Sequence, residues 1–463
     1  MKTHQIDEIY LPVGKTDQET LGGLKKDFQI VKGREKKRFK EYRKALETGD
    51  LKEIRKAVDR YLKSGPARTV AAVTGNLSHR IEQRLTLRQS YKLAEEFKPH
   101  KPLEEKVRVY GKKKSSGGER PICVFGHEHR LGQSMIKKLL KERLKPSAWQ
   151  YTHRGPAAAI KYVKSLNPTA ELCARKLDIK DFYGSFEETN LVSFLNEMPD
   201  DVVRHIILSN DNALTAMDGS SLLGNLSQLA SRGVAQGSVL SPLIGELAVS
   251  QLGWKGIAEV QMLNYADDFL LIAPDIETLD VATKALTSAV AALPGGHFSL
   301  LEKDMPDISS ATSTFGAGIV FLGYYLKIDK GGLLDVWPCG SASERFGDLT
   351  EEMTRRIKKA IKRLKSVSIE QDGAEESSYS TLKVAGRISQ LYHYAKAWEG
   401  AFKETDPVIL NNYVGPEFEK VGEFSAEIGM AMSEVIKIEV DIPDVFEISG
   451  ADGYHEAKLI AET

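Results

Sequence analysis

"NYADDFLLIA", residues 264–273, sets two adjacent aspartates between an aromatic residue and an apolar run. The flanking segments 258–264 and 269–273 read as strands, so Ala266-Asp267-Asp268 forms the tight turn of a hairpin with both carboxylates at its tip. Asp tolerates turn geometry, so this segment alone is explained by conformation. A second segment changes the balance. "ARKLDIKDFYGSF" (174–186) delivers Asp178 at the end of a strand, followed by Asp181, Phe182 and Tyr183. If the two strands are neighbours in one sheet, Asp178 and Asp267 face each other across a short gap. Carboxylates so placed hold two divalent ions about 3.5–4 Å apart, which clamp the attacking and leaving oxygens of an in-line phosphoryl transfer. Hard oxygen ligands suit Mg2+. On this reading the acids are tolerated because metal ions neutralise them.

Between these segments lies "RGVAQGSVLSPLIGELAV" (232–249). A Gly-rich loop capping an apolar helix accounts for it structurally. The functional alternative is that Gly233 and Gly237 let the backbone approach a nucleotide while Gln236 contacts it.

The rest of the chain frames this centre. With 463 residues and 41% hydrophobic content, two or three packed domains are expected. Cys123, Cys173 and Cys339 show no metal-ligand spacing and no disulfide framework. The N-terminal stretch lacks an apolar signal core, and no stretch approaches 18 apolar residues, so a cytoplasmic protein with no membrane partner is expected. The net charge of zero hides segregation: residues 101–145 hold 13 Lys/Arg against 5 Asp/Glu, 354–365 hold 7 bases and no acid, and 416–463 hold 12 acids against 3 bases. One basic block alone reads as a solvated helix face. Two flanking a carboxylate centre favour a phosphate-bearing partner.

Residues 34–65 read as two amphipathic helices broken at Gly49-Asp50, with more helix to about 97. "KVRVYGKKKSSGGERPICVF" (106–125) reads as a hairpin with a basic tip, followed by a helix over 128–145. In 170–335 the strands "ELCARKLDI", "EVQMLNY", "FLLIA" and "IVFLGYYLKI" alternate with helical stretches at 187–196, 238–253 and 276–292, an α+β sheet domain with helices on one face. The last part is helical, with a polar linker at 366–380. The boundaries expected are a helical N-terminal extension over 1–100, then 101–170, 171–340, and a helical 341–463.

The order "LDIKDFYGSF", "RGVAQGSVLSP", "NYADD" resembles motifs A, B and C of reverse transcriptases. The resemblance covers about residues 105–335. "GGERPICVFGHEHRLGQSMIKKLLKERLKP" is similar to the bacterial fingers motif, "HFSLLEKD" (297–304) sits where motif D offers a lysine, and "FLGYYL" (321–326) is similar to the primer grip. What the resemblance implies is a right-hand polymerase of fingers, palm and thumb, with an RRM-like antiparallel palm sheet, helical N-terminal extension and helical thumb. It implies metal ligation by Asp178 and Asp267, completed by the Ile179 carbonyl and Asp268, with two Mg2+ ions for which Mn2+ can substitute. Tyr183 stands at the steric-gate position, where a ring collides with a ribose 2′-hydroxyl and so selects dNTPs. Arg120, Lys113 and Arg130 belong to the fingers segment that meets the incoming nucleotide, Gln236 and Gly237 to the nucleotide-binding loop, and Lys303 would protonate the pyrophosphate leaving group. The chain departs from the family in Val234-Ala235 before Gln236, where a proline is usual, in "FYGSF" where a Phe-Phe pair is usual, and in His129, where an Asp usually precedes Arg130.

By elimination the subfamily implied is the stand-alone unknown-group or defence-associated bacterial reverse transcriptases. The segment beyond 335 is short for maturase and endonuclease modules, no HNH-type Cys/His cluster is present, and the "VTG" at 73–75 is not at the thumb position of retron enzymes. Such enzymes copy a cognate non-coding RNA into DNA in antiphage defence. The basic block at 354–365 would track a template–primer duplex in a salt-dependent manner. Tyr392, Tyr394 and Trp398 read either as thumb core or as base-stacking platforms. Ser378, Tyr379 and Tyr454 are hydroxyls that protein priming would need, and a homo-oligomer is compatible with the acidic end. The competing functions are a retron or intron-derived enzyme without a defence role, and a non-catalytic RNA-binding scaffold.

Overall fold

The computed structural model describes residues 18–79, 83–113, 119–208, 213–217, 224–305, 308, 310–370 and 374–438. Strands in chain order are β1 (Val107–Lys113), β2 (Glu119–Val124), β3 (Cys173–Ile179), β4 (Leu214–Ala216), β5 (Gln261–Tyr265) and β6 (Asp268–Ala273). They continue with β7 (Leu300–Glu302), β8 (Thr312–Thr314), β9 (Ile319–Phe321), β10 (Tyr324–Ile328) and β11 (Leu334–Pro338). The fold is α+β with mainly antiparallel sheets. Its described residues gather into two compact units, each assembled from several stretches of chain.

The first unit draws on 1–147, 179–254 and 287–299. The helix Gln18–Thr48 gives way to Leu51–Leu62 where expected: Gly49 takes the left-handed conformation (φ 69°), and Asp50 accepts the backbone N–H groups of Lys52 and Glu53. Helices Gly65–Asn76 and Leu87–Glu96 follow, the second opened by a Thr86/Gln89 capping box. The β1–β2 hairpin forms as expected and β4 joins it in parallel, giving the order β2-β1-β4. The basic tip at 114–118 lies outside the described residues. Residues 73–75 sit inside the helix Gly65–Asn76, where a Cβ on Gly75 would meet the Arg130 carbonyl oxygen at 2.7 Å. That "VTG" is therefore a packing feature of this helix.

The second unit draws on 148–178, 255–286 and 300–463. Its main sheet runs β5-β6-β3-β7, and β8 also pairs with β3. β6 is buried along its whole length, which its near-continuous apolar sequence requires. Two expectations are corrected. "IVFLGYYLKI" is two strands, β9 and β10, joined at Leu322-Gly323, both with positive φ (52° and 81°), so that Phe321 pairs with Tyr324. That is a two-residue hairpin turn, made without the Asn or Asp that usually announces one. The polar stretch expected as a linker over 366–380 is helical at its described residues, 366–370 and 374–380. The helix Gly340–Glu370 runs through its first part and Ala374–Ala401 begins within it, because Ser, Glu and Gln sustain a helix as readily as a linker. Residues 371–373 lie outside the described residues.

The core of this helical part decides the aromatic question. Trp398 and Tyr394 are 1% and 2% exposed and stack on Phe346 at 4.4 and 5.6 Å, while Tyr392 packs against Phe418 at 5.5 Å. Tyr394 and Trp398 are core residues, and the base-stacking alternative falls for them. The side chains of Ser378 and Tyr379, and Tyr454 entirely, lie outside the described residues. No described helix is long and apolar enough to cross a membrane.

Candidate active site

The acidic centre is built by strand register within the second unit. β3 and β6 run antiparallel with Asp178 directly opposite Asp268. β5 and β6 form the expected hairpin, but its two-residue connection is Ala266-Asp267 alone: Asp268, expected at the tip with Asp267, is the first residue of β6 and pairs with Tyr265. Ala266 is held in the left-handed region (φ 52°), a conformation that costs a non-glycine residue about 1–2 kcal/mol. The surroundings impose it. The Ala266 N–H donates to Thr152 Oγ1 at 2.8 Å, and the buried Asn264 side chain donates to the carbonyls of Ala266 and Asp268 at 2.9 and 3.2 Å. Asn264 is itself tied to Tyr151 and Trp149 through its backbone.

The result is that carboxylate oxygens of Asp178, Asp267 and Asp268 all lie within 4.8 Å of one another. Asp268 is buried, and its Oδ1 has no hydrogen-bond partner. A buried carboxylate oxygen that accepts no hydrogen bond, clustered with two further carboxylates, fits a hard divalent cation. Burial, then the charge of Asp268, raises the Asp178 pKa, against the pull of Lys303. Burial, followed by the charges of Asp268 and Asp178, pushes Asp267 up to about 7.

Two lysines share this centre. Lys303 Nζ stands 3.0 Å from Asp178 Oδ1 and 3.5 Å from Asp268 Oδ1, and its backbone N–H donates to the Lys176 carbonyl. Burial alone would lower its pKa, yet the charges of Asp268, Asp178 and Asp267 together hold it above the ordinary lysine value. Lys176, on β3 and 2% exposed, places Nζ 3.7 Å from Asp268 Oδ1. This corrects the idea that only metal ions make the acids tolerable: two of three negative charges are offset by the chain's own lysines. Lys176 is a residue the sequence reading missed. The signal was strand alternation, which puts residues 176 and 178 on one face of β3. Ile179 closes β3 with its side chain buried.

The other candidate residues belong to the first unit. Tyr183 lies on the short turn Phe182–Ser185, and its carbonyl accepts the Val234 N–H at 2.9 Å. Gly233 (φ 59°) would place a Cβ 2.1 Å from that carbonyl, and Gly237 (φ 103°) would place one 2.2 Å from the Cys123 carbonyl. The two glycines thus serve the loop's own close approach to Tyr183 and to β2. The Gln236 carbonyl accepts the Cys123 N–H at 2.7 Å. Gln236 also lines a small open cleft together with Glu119, Asp181 and Arg232. Arg120 is half-buried on β2, opposite Lys112, and Lys113 ends β1 with its side chain outside the described residues. Arg130 bonds to Gln133 at 3.2 Å and lies 5.5 Å from the Phe125 ring centre.

His129, which departs from the expected Asp, is explained by Glu105. One oxygen of Glu105 accepts the backbone N–H groups of Glu128 and His129 and lies 3.1 Å from His129 Nδ1. A carboxylate 22 residues upstream of the helix His127–Arg143 therefore caps a terminus that Gly126 cannot cap.

Comparison with known proteins comes from sequence and from structure. Residues 111–293 match the family described as reverse transcriptase (RNA-dependent DNA polymerase), a family of RNA-directed DNA polymerases. No curated protein matches the chain. Among solved structures, the chain is similar to apo telomerase from Candida tropicalis (14% identity, TM-score 0.35, covering 72% of this chain and 66% of that one). It is also similar to the C. tropicalis telomerase truncated from its C-terminal domain (16%, 0.29, 52% and 56%). A third is telomerase from Candida albicans in complex with a TWJ fragment of telomeric RNA (12%, 0.29, 73% and 64%). The chain thus spans between about half and two thirds of those chains, and likeness at these scores carries no argument about this protein.

Proposed function

We propose, for a chain that carries a reverse transcriptase domain over residues 111–293, that the protein is an RNA-directed DNA polymerase extending a primer on an RNA template with dNTPs. The observation that carries this reading is the register that sets Asp178 opposite Asp268, with Asp267 on the turn beside them. Asp178 and Asp267, completed by Asp268 and the Ile179 carbonyl, would hold two Mg2+ ions, or Mn2+ in their place. Bound there, such ions stabilise negative charge on the attacking and leaving oxygens of phosphoryl transfer.

The chain's own residues supply the rest. Asn264 and Thr152 fix the turn so that Asp267 is positioned before any ligand arrives. Lys303, held protonated beside Asp178 and Asp268, is assigned as the donor to the pyrophosphate leaving group, a role that needs its carboxylate partners to be taken up by other charge first. Arg120, Arg130 and Lys113 are assigned to the triphosphate, Gln236 and Gly237 to the nucleotide, and Tyr183 to exclusion of the ribose 2′-hydroxyl. Resemblance extends the proposal to fingers at 101–170, palm at 171–340, and thumb and C-terminal region at 341–463 after a helical extension. It extends further to a stand-alone bacterial enzyme of the cytoplasm that copies a cognate non-coding RNA in antiphage defence.

The test is primer extension by the purified full chain on an RNA template, comparing wild type, Asp267→Asn and Tyr183→Ala. Mg2+-dependent dNTP addition by wild type, its loss in Asp267→Asn with RNA binding kept, and ribonucleotide addition by Tyr183→Ala are expected. One observation favours a second reading: Lys176 and Lys303 let the acidic cluster persist without metal, as a non-catalytic RNA scaffold would need. RNA binding with no extension under any divalent cation would select that scaffold.

A further inference from the structure

The helix Gln18–Thr48 buries Phe28, Glu35 and Tyr42 on one side. At 3.6 residues per turn, Lys26, Lys36, Lys37, Lys40 and Lys44 fall on the opposite side within an arc of about 100°, spread along about 27 Å. All five are exposed, and none makes an ion pair or hydrogen bond with a described residue. Other cations nearby behave differently. Arg38 pairs with Glu41 and Arg43 with Glu142, while on the next helix Lys56 pairs with Glu53 and Lys63 with Asp59. Within 26–48, the part of the helix whose side chains are described, Glu47 at the helix end is the acid within the lysine arc.

This arrangement is not what solvation alone selects. Lys36 and Lys40, and Lys40 and Lys44, are like charges four residues apart, each of which weakens the helix. Interspersed acids would serve solubility as well and stabilise the helix besides. A polyanion laid along the face would relieve the repulsion. The arc holds no aromatic residue, Phe39 being half-buried toward the core. A splayed single strand is held by stacking on aromatics, whereas lysine point charges suit a phosphate backbone read without regard to sequence.

We propose that the lysine face of the helix Gln18–Thr48 docks the phosphate backbone of structured RNA, a binding surface separate in sequence from the residues assigned to catalysis. It rests on the reading that the chain works on RNA. The test replaces Lys36, Lys37, Lys40 and Lys44 together by Gln, which keeps helix propensity, with circular dichroism to verify the fold. The probe is a labelled RNA hairpin of about 20 base pairs, titrated against the full chain over a range of salt. Each lost phosphate contact removes about 0.7–0.9 from the slope of log affinity against log salt. The variant should therefore show a slope shallower by roughly 2–3 and an affinity at least tenfold lower at about 0.1 M salt. Extension of a short pre-annealed template–primer should be unchanged.

An unchanged slope and affinity in a folded variant overturns the proposal, and so does a shift confined to the short-duplex extension assay. Running the titration in the Asp267→Asn background separates the two readings. If wild type extends nothing yet the slope still drops with the lysines, the polymerase reading fails and the docking surface stands. If extension is intact and the slope does not move, the surface alone fails.

Discussion

Replacing Asp267 by Asn should make the metal-free protein more stable at alkaline pH while abolishing nucleotide addition. Burial and the charges of Asp268 and Asp178 raise the Asp267 carboxyl from 3.8 to about 7. Between those values the folded chain keeps a proton that the unfolded chain has released, so stability falls as pH rises. The contribution is fully present below about pH 4 and gone once pH passes about 7. At ~1.4 kcal/mol per tenfold, the loss is on the order of 4 kcal/mol. Asp178, raised for the same reasons, adds in the same direction. Asn has no proton to lose and keeps the shape, so in the presence of a chelator the variant should lose much less stability between about pH 5 and pH 8. Mg2+ should restore wild-type stability at the upper end and do little for the variant. Because the chain has two compact units, a single melting temperature blurs the effect. Hydrogen exchange in peptides spanning 261–273, corrected for intrinsic pH dependence, reads the hairpin directly. An identical pH slope in variant and wild type, or a variant less stable than wild type at pH 8 without metal, would refute the reasoning.

Further outcomes follow from single contacts. Lys176→Met leaves the buried Asp268 with Lys303 alone and should cost about 3 kcal/mol in metal-free protein, less with Mg2+ present, as read by hydrogen exchange in peptides spanning β3 and β6 in both conditions. Equal losses in the two would make Lys176 a packing residue. Gly237→Ala meets both a φ of 103° and the Cys123 carbonyl at 2.2 Å, and should destabilise by about 1–3 kcal/mol or more in chemical denaturation. Native stability there would mean that the loop takes another path. Trp398→Ala should cost about 3–5 kcal/mol with RNA affinity unchanged in the folded fraction. A selective loss of RNA affinity at native stability would return Trp398 to a base-stacking role.

The centre was legible where local signals and tertiary placement coincide. A hairpin turn between two strands fixes Asp267, and a strand end fixes Asp178. Only their adjacency needed the structure, and the register supplies it. What escaped has two causes: composition that does not report conformation, and partners too far along the chain for a local pattern. "LGYY" carries no turn-forming Asn or Asp, so its hairpin was hidden, and Leu322 pays for its positive φ through the core that β9 and β10 complete. A polar run at 366–380 resembled a linker, yet its described residues continue the helices on either side of it. Glu105 is 22 residues upstream of the helix it caps, beyond any local pattern. Lys176 stood in plain view, but a lysine in a strand suggests an exposed edge, and only pairing of β3 on both sides shows that it is interior.

That lysine alters how the paired acids should be understood. Three carboxylates within 4.8 Å need compensation before any ligand arrives, or the hairpin would not close. The two compensating cations differ in one respect that bears on function. The Lys303 side chain is 44% exposed and reaches the acids from the residue just beyond β7, so it can withdraw into solvent without unpacking anything. The Lys176 side chain is 3% exposed on the central strand and cannot. An incoming dication therefore competes with Lys303 for Asp178, whereas Asp268 keeps Lys176 throughout. The acid most buried is the one whose charge the chain always balances, which leaves Asp178 and Asp267 as the pair whose charge is free to be met from outside.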